Sequence, residues 1–238
     1  MRVLLCSSGG KDSVLAWHFA RQQPELEIVG QLTTFTAQFN RVTMHGVRRS
    51  LIEQQAAALG LPLYAMELGP QSAEEGGANR GDDQPQTVFV SNDDYEALFL
   101  QTCRSLQQQL GIQGLIFGDI FLEEVRAYRE RLLAQLGLQG VYPLWGKDSA
   151  GLMETFCREG FQARVVCVDS RKLDESWCGR LLDAEFVAEL PAGIDPCGEN
   201  GEFHSFVFAG PGFAQSMGHA VGEKVWRDPF WFAELLPQ

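Results

Sequence analysis

Residues 7–13 combine three serines, two adjacent glycines, a lysine and an aspartate, directly after a short apolar run. Adjacent glycines can take positive φ and carry no side chain, so an anion can approach the backbone N–H groups of the turn. The helix expected next aims its free N–H groups and the positive end of its dipole at the same point. The segment therefore predicts a phosphate site formed by Ser7, Ser8, Gly9, Gly10, Lys11, Asp12 and Ser13.

The side chains of this segment suit the same purpose. Lys11 adds a full positive charge, and Asp12 is a candidate ligand for a Mg²⁺ ion that bridges phosphates. The pattern is not a Walker A loop, which needs two glycines five positions apart followed by Lys and Ser or Thr. The alternative is an ordinary glycine-rich turn, which we disfavour because strand, loop and helix cues follow in the order that a phosphate site requires.

A second polar segment, residues 197–205, contains two glycines, two carboxylates and a histidine. Carboxylates and imidazoles move protons near neutral pH. Glu202 and His204 alternate with Phe203, so a strand here would direct both to one side. We therefore predict that Glu199, Glu202 and His204 serve a second substrate, the acceptor. The alternative is a polar hairpin loop that faces water.

Two shorter motifs lie at the ends of predicted elements. Met44 and His45 come just before a predicted helix, where they could contact a nucleotide; taken alone, a helix-terminal histidine without a ligand is the better interpretation. Gly118 permits close backbone approach, and Asp119 offers a carboxylate at the end of a predicted strand. The alternative there is a plain turn. The charged run that follows is interpreted as a solvated face of ion pairs.

Strands and helices alternate over the first 146 residues, which predicts an α/β fold: a parallel sheet with helices on both faces. Ligands of such sheets bind at the carboxyl ends of the strands. Residues 69–87 lack apolar periodicity and are expected to form a loop. The predicted strands are Arg2–Cys6, Glu27–Phe35, Pro62–Leu68 and Gly114–Ile120, and helices cover about Ser13–Gln22, Val47–Leu59 and Leu122–Leu136. A further helix is expected to be capped by Asn92 or Asp93 and to end at Gly111.

The pattern changes after residue 146, which predicts domains at 1–146 and 147–238. The second is expected to be a smaller α+β domain with a helix to about Arg158, a strand over Phe161–Asp169, a helical segment over Leu181–Leu190 and a strand over Phe203–Ala209. The aromatic tail after Trp226 is expected to be core or a subunit contact, which leaves a homodimer open.

Composition narrows the classes of partner. The 238 residues carry a net charge of −12, which disfavours nucleic acid and membrane surfaces as partners. The six cysteines form no Cys-x-x-Cys pair, so we expect reduced thiols and no structural metal. Neither a leader segment nor a membrane-length apolar run is evident, so we expect a cytoplasmic protein.

The first motif resembles the PP-loop of the N-type ATP pyrophosphatases, and the whole chain resembles the diphthine–ammonia ligases of that superfamily. The resemblance implies a HUP-type (Rossmann-like) domain that binds ATP and Mg²⁺, and a C-terminal domain that closes over the acceptor. It implies that ATP is cut between its α and β phosphates, that a carboxylate is adenylated, and that ammonia forms the amide. The matching strings are Ser8–Ser13, Met44–His45, Leu51–Ala56, Phe117–Ile120, Tyr142–Gly146 and Gly198–His204.

In archaeal and eukaryotic members of that family the acceptor is the diphthine carboxylate on elongation factor 2, whereas the acceptor of bacterial members is unknown. Two other functions stay open. A tRNA-modifying PP-loop enzyme would need a basic surface, and often a catalytic cysteine pair, that the composition does not favour. A sensor that binds ATP without turnover is disfavoured by the intact Lys11 and Asp12.

Overall fold

A computed structural model describes residues 1–69 and 91–238 of the chain. The first part contains six strands and four helices among the described residues. They are β1 (Arg2–Cys6), α1 (Lys11–Ala20), β2 (Glu27–Thr36), β3 (Arg41–Val42), α2 (Arg49–Ala58), β4 (Leu63–Leu68), α3 (Asn92–Leu110), β5 (Gly114–Ile116), α4 (Glu123–Ala134) and β6 (Gln139–Val141).

These strands form one sheet in the order β3-β2-β1-β5-β6, with β4 also paired to β2. Every pairing is parallel except that of the short β3 with β2. The carboxyl ends of β1, β2 and β5 therefore lie at one edge, as expected for a ligand-binding α/β sheet. The predicted fold class is confirmed.

The central strand β1 shows why helices cover both faces of the sheet. Val3 and Leu5 are fully buried in a core cluster that includes Val14 of α1, while Leu4 between them is buried against α3 and α4. Alternate residues of a strand point to opposite faces, so a continuous apolar run requires cover on both sides.

The second part of the chain forms an antiparallel sheet in the order β8-β7-β10-β9. The aromatic tail, left without an element by the sequence, is the β9–β10 hairpin. Where the domain boundary falls stays a prediction, since the two sheets share core clusters. The elements are α5 (Ser149–Arg158), β7 (Gln162–Asp169), a 3₁₀ turn (Glu175–Trp177), α6 (Ala184–Glu189), β8 (Phe203–Ala209), β9 (His219–Arg227) and β10 (Phe230–Pro237).

Several predicted bounds change. The strand expected over Gly114–Ile120 ends at Ile116, because the chain then leaves the sheet and packs Gly118 against the first turn of α1. The helix expected over Leu181–Leu190 is limited to α6, which Asp183 caps. The loop expected over 69–87 lies almost entirely in residues 70–90, outside the described part of the chain.

The shared core predicts that the two sheets unfold together. Phe206 of β8 is fully buried beside Phe35 and Ile52 of the first part. We expect Phe206→Ala to lower the free energy of unfolding by about 3–5 kcal/mol, the usual cost of a large cavity. Urea denaturation should show a single unfolding transition in wild type and in Phe206→Ala. Leu236→Ala, at a residue with 40% exposure, is the control, and two separate transitions would contradict a shared core.

Candidate active site

A cleft of about 480 Å³ opens at the carboxyl edge of the first sheet. Its walls come from the turn after β1, the segment around His45, the loop after β5, and residues 198–205 of the C-terminal part. Of the predicted site residues, Gly9 and Glu202 do not line it. Those that do are Ser7, Ser8, Gly10, Lys11, Asp12, Ser13, Met44, His45, Gly118, Asp119, Glu199 and His204.

Two serine hydroxyls hold the turn in shape. Ser7 Oγ accepts the N–H of Gly9 at 3.0 Å and donates to Ser13 Oγ at 2.9 Å. Ser13 Oγ in turn donates to the carbonyl of Gly10 at 2.9 Å. These hydroxyls therefore stabilise the backbone conformation in this structure, a role different from the phosphate donors that the sequence suggested.

The two glycines have different roles. Gly9 has φ +81°, and a methyl group there would lie 2.5 Å from Ile52 Cδ1. Its carbonyl accepts from the N–H of Val207 and from Gln55 Nε2, each at 2.9 Å. Gly9 thus joins the turn to the C-terminal sheet. Gly10 faces the cleft and precedes α1 without a side-chain cap of its own, which places the N-terminus of a helix, a common anion site, at the cleft.

Lys11 is buried at the base of the cleft, with 2% exposure. Its Nζ lies 2.8 Å from Asp12 Oδ2 and 5.4 Å from the centre of the Phe203 ring. Burial is the largest single effect and lowers the Lys11 pKa, but the opposing effects of Asp12, Cys197 and Glu199 together leave that pKa raised. Lys11 is therefore a cation at neutral pH. Its backbone N–H donates to Ser205 Oγ at 3.1 Å, a second link to the C-terminal sheet.

The Asp12 side chain also offers an oxygen that suits a Mg²⁺ ligand. Its Oδ1 is buried and has no hydrogen-bond partner in the described part of the chain. No group of three or more His, Cys, Asp or Glu side chains that could hold a metal occurs among the described residues. This fits the usual Mg²⁺ arrangement, in which one or two carboxylates act together with substrate phosphates and water.

Glu199 lines the same cleft as the turn. Its Oε1 accepts the backbone N–H of Ile120 at 2.9 Å. Burial is the main cause that raises the pKa of Glu199 to about 7, and the nearby Asp12 charge acts in the same direction. This carboxyl group therefore gains and loses its proton near neutral pH.

His45 and His204 form a pair between the two parts of the chain. Their ring centres are 4.3 Å apart. Burial lowers the pKa of His204 to about 4, and Lys11 contributes. Burial also lowers the His45 pKa well below its usual value, followed in effect by His204 and Lys11. Both rings are neutral at pH 7, and His45 Nδ1 is buried without a partner among the described residues.

The loop after β5 contributes backbone rather than a free carboxylate. A methyl group at Gly118 would lie 2.7 Å from the carbonyl carbon of Asp12, so the glycine permits close packing on the turn. Asp119 accepts from Arg129 at 2.6 and 3.0 Å, and the guanidinium lies 4.4 Å from the centre of the Phe117 ring. Asp119 is thus occupied by an ion pair.

Arg129 is a cleft residue that the sequence did not reveal. The charged run was expected to be a solvated face of ion pairs. Instead, Arg129 lines the cleft, and Arg126 lies over the rings of Tyr142 and Trp145 at 4.8 and 4.5 Å. Helical spacing carries no signal for contacts with residues outside the helix, so both were missed.

Glu202 is not where alternation placed it. The side chain has 1% exposure and points away from the cleft. Its Oε1 accepts from Asn200 Nδ2 at 3.1 Å and from the N–H of Asp195 at 3.3 Å. Strand alternation does not apply because Glu202 precedes the first residue of β8. Its surroundings indicate that it supports the loop behind Glu199.

Comparison with known proteins adds a separate line of evidence. A model described as the diphthamide synthase N-terminal domain matches residues 1–84, and one described as the diphthamide synthase C-terminal domain matches residues 148–235. Together they cover most of the chain. The chain belongs to the diphthamide synthase family. The family predicted from the motifs is therefore confirmed.

Curated relatives of this chain support the same family, although their sequence identity to it is modest. The diphthine–ammonia ligase of Bos taurus is 26% identical over 91% of this chain and 82% of its own length. The Homo sapiens protein of the same name is 25% identical with the same coverage. The Schizosaccharomyces pombe protein is 26% identical over 91% of this chain but only 36% of its own length. The predicted enzyme class, an ATP-dependent carbon–nitrogen ligase, is confirmed at this level.

Within residues 1–69 and 91–238, no helix combines the length and the apolar character needed to cross a bilayer.

The raised pKa of Glu199 predicts a pH-dependent stability. Its folded pKa of about 7 exceeds the ordinary value of 4.5, so the folded chain binds this proton more tightly than the unfolded chain does. The stabilisation of the folded chain by this proton is fully present below about pH 4.5 and is lost as pH rises through about 7. Glu199→Gln, which cannot ionise, should therefore gain stability over wild type between these values in urea denaturation. Glu154→Gln, at an exposed residue, should not, and parallel curves for wild type and Glu199→Gln would contradict the assignment.

Proposed function

We propose that the chain binds ATP in the cleft, adenylates a carboxylate acceptor and amidates it with ammonia. One observation carries the proposal: the glycine turn with Lys11 and the acid–base groups Glu199 and His204 line the same cleft. A phosphate site alone would suit a sensor. A phosphate site that faces groups able to move protons suits a reaction with two substrates.

The turn serves the ATP half of the reaction. First-turn N–H groups of α1, the helix dipole and the Lys11 cation all favour the triphosphate. An acceptor carboxylate oxygen attacks the α phosphorus, the bond to the bridging oxygen breaks, and pyrophosphate leaves. Lys11 and the backbone N–H groups stabilise the charge that develops. Asp12 would hold Mg²⁺, which neutralises phosphate charge when bound.

Glu199 and the histidine pair serve the amidation half. Ammonia attacks the carbonyl carbon of the acyl-adenylate, loses a proton, and displaces AMP. At neutral pH ammonia is mostly ammonium, so a group that removes a proton is required. Glu199, with a pKa of about 7, can both attract ammonium and accept a proton. The neutral rings of His45 and His204 can accept hydrogen bonds.

We further propose that the acceptor is a diphthine-like carboxylate. The support is the name shared by the curated relatives, diphthine–ammonia ligase. The net charge of −12 continues to disfavour the tRNA alternative. A cytoplasmic location and a homodimer stay predictions.

The first test is the nucleotide product. We expect AMP and pyrophosphate, and we expect Lys11→Met to lower their formation on the order of a hundredfold or more, the scale for losing one charge-stabilising donor. Ion-exchange chromatography of the nucleotides measures both. Lys147→Met is the control, because Lys147 lies over Phe19 and does not line the cleft. ADP as the only product would contradict the proposal, and binding without turnover would favour the sensor.

The second test separates the residues of the polar segment. We expect His204→Ala to leave the ATP dissociation constant nearly unchanged and to lower acceptor-dependent AMP release on the order of a hundredfold, as for a positioned acid–base group. Glu202→Gln should keep acceptor-dependent turnover within about threefold of wild type, because that side chain lies outside the cleft. Calorimetry and AMP assays measure the two effects. Equal losses of acceptor-dependent AMP release in both variants would show that Glu202 belongs to the active site.

A further inference from the structure

The segment that carries His45 into the cleft is a short hairpin with few internal bonds. Val42 donates to the carbonyl of Val47 at 2.8 Å, and Gly46 donates to the carbonyl of Val42 at 3.0 Å. At its tip, Met44 has φ +67° and is exposed at the cleft mouth. A strained backbone at an exposed tip needs support from surrounding structure to persist.

That support comes from the last strand of the chain. Glu234 of β10 accepts from Arg41 Nη2 at 2.7 Å through Oε2, and from Arg48 Nε through Oε1. Arg41 also donates from Nη1 to the carbonyl of Gly46 at 2.8 Å. One carboxylate thus connects both ends of the hairpin. Arg41 in turn contacts Gly46, the residue next to His45.

Packing reinforces this ionic link. Gly46 has φ +70°, and a methyl group there would lie 2.9 Å from Phe232 Cδ1. Phe232 stands two residues before Glu234 on the same strand. The side chains of Glu234 and Arg41 are only 21% and 23% exposed, so solvent screens their attraction less than it would on an open surface.

We propose that Glu234 is a positioning residue for ATP, which acts by holding Met44 and His45 against the phosphate turn. The inference depends on the proposed function above. Glu234, Arg41 and Arg48 do not line the cleft, so their influence must pass through the hairpin. Without the carboxylate, two guanidinium groups face each other with no common anion, and the base of the hairpin opens.

The decisive variant is Glu234→Gln, which keeps the side-chain size and removes the charge. We expect faster amide hydrogen exchange in residues 41–48. We also expect an ATP dissociation constant that rises on the order of tenfold, which is within the range for a residue that affects a binding site without contacting the ligand. Glu189→Gln is the matched control, since it breaks the Arg180–Glu189 pair of 2.7 Å elsewhere in the C-terminal part. The control should change neither readout.

A double-mutant cycle distinguishes positioning from general stability. In the Glu234→Gln background, Arg41→Gln should add little further loss of ATP affinity, because the shared contact is already gone. Unchanged exchange in 41–48 with an ATP affinity within about twofold of wild type would overturn the proposal, as would faster exchange across the whole chain. If wild type binds no ATP, the proposed function fails and the ATP role of Glu234 fails with it, while exchange in 41–48 still reports separately whether Glu234 holds the hairpin.

Discussion

The structure depends on the hydrogen bonds that join the glycine turn to the C-terminal sheet. The carbonyl of Gly9 accepts from Val207 and Gln55, and the N–H of Lys11 donates to Ser205. Backbone groups that must be satisfied for folding are therefore shared between the phosphate loop and the second sheet. The C-terminal sheet therefore adds to the serine hydroxyls that hold the turn, so the proposed nucleotide and acceptor sites are built as one unit.

Electrostatics follow from the same arrangement. A lysine with 2% exposure is costly unless a partner compensates it, and Asp12 is that partner. Among the other titratable groups of the cleft, the two histidines are neutral and Asp119 is paired with Arg129, whereas Glu199 gains and loses its proton near neutral pH. Lys11 therefore keeps its charge close to the turn, where the proposed polyphosphate would need it.

The sequence predicted those elements that depend on interactions between residues close together in the chain. The strand, turn and helix over residues 2–20 follow from an apolar run and adjacent glycines, and Gly111 ends α3 in the left-handed conformation that glycine favours. Contacts between distant residues were not predictable in this way. Nothing near Asp119 indicates Arg129, and nothing in the tail indicates that Glu234 meets Arg41, 193 residues away in sequence. The direction of Glu202 failed because strand alternation was applied one residue too early.

Long-range contacts therefore decide how the chemistry is organised. The N-terminal part supplies a phosphate site that its own sequence can form, yet the C-terminal part fixes the turn through Ser205 and Val207 and fixes the hairpin of His45 through Glu234. A change in the C-terminal sheet therefore reaches the N-terminal part of the cleft lining by two routes, through β8 at the turn and through β10 at the hairpin. The proposed acyl-adenylate would gain from such coupling, because a closed site protects a reactive intermediate from hydrolysis.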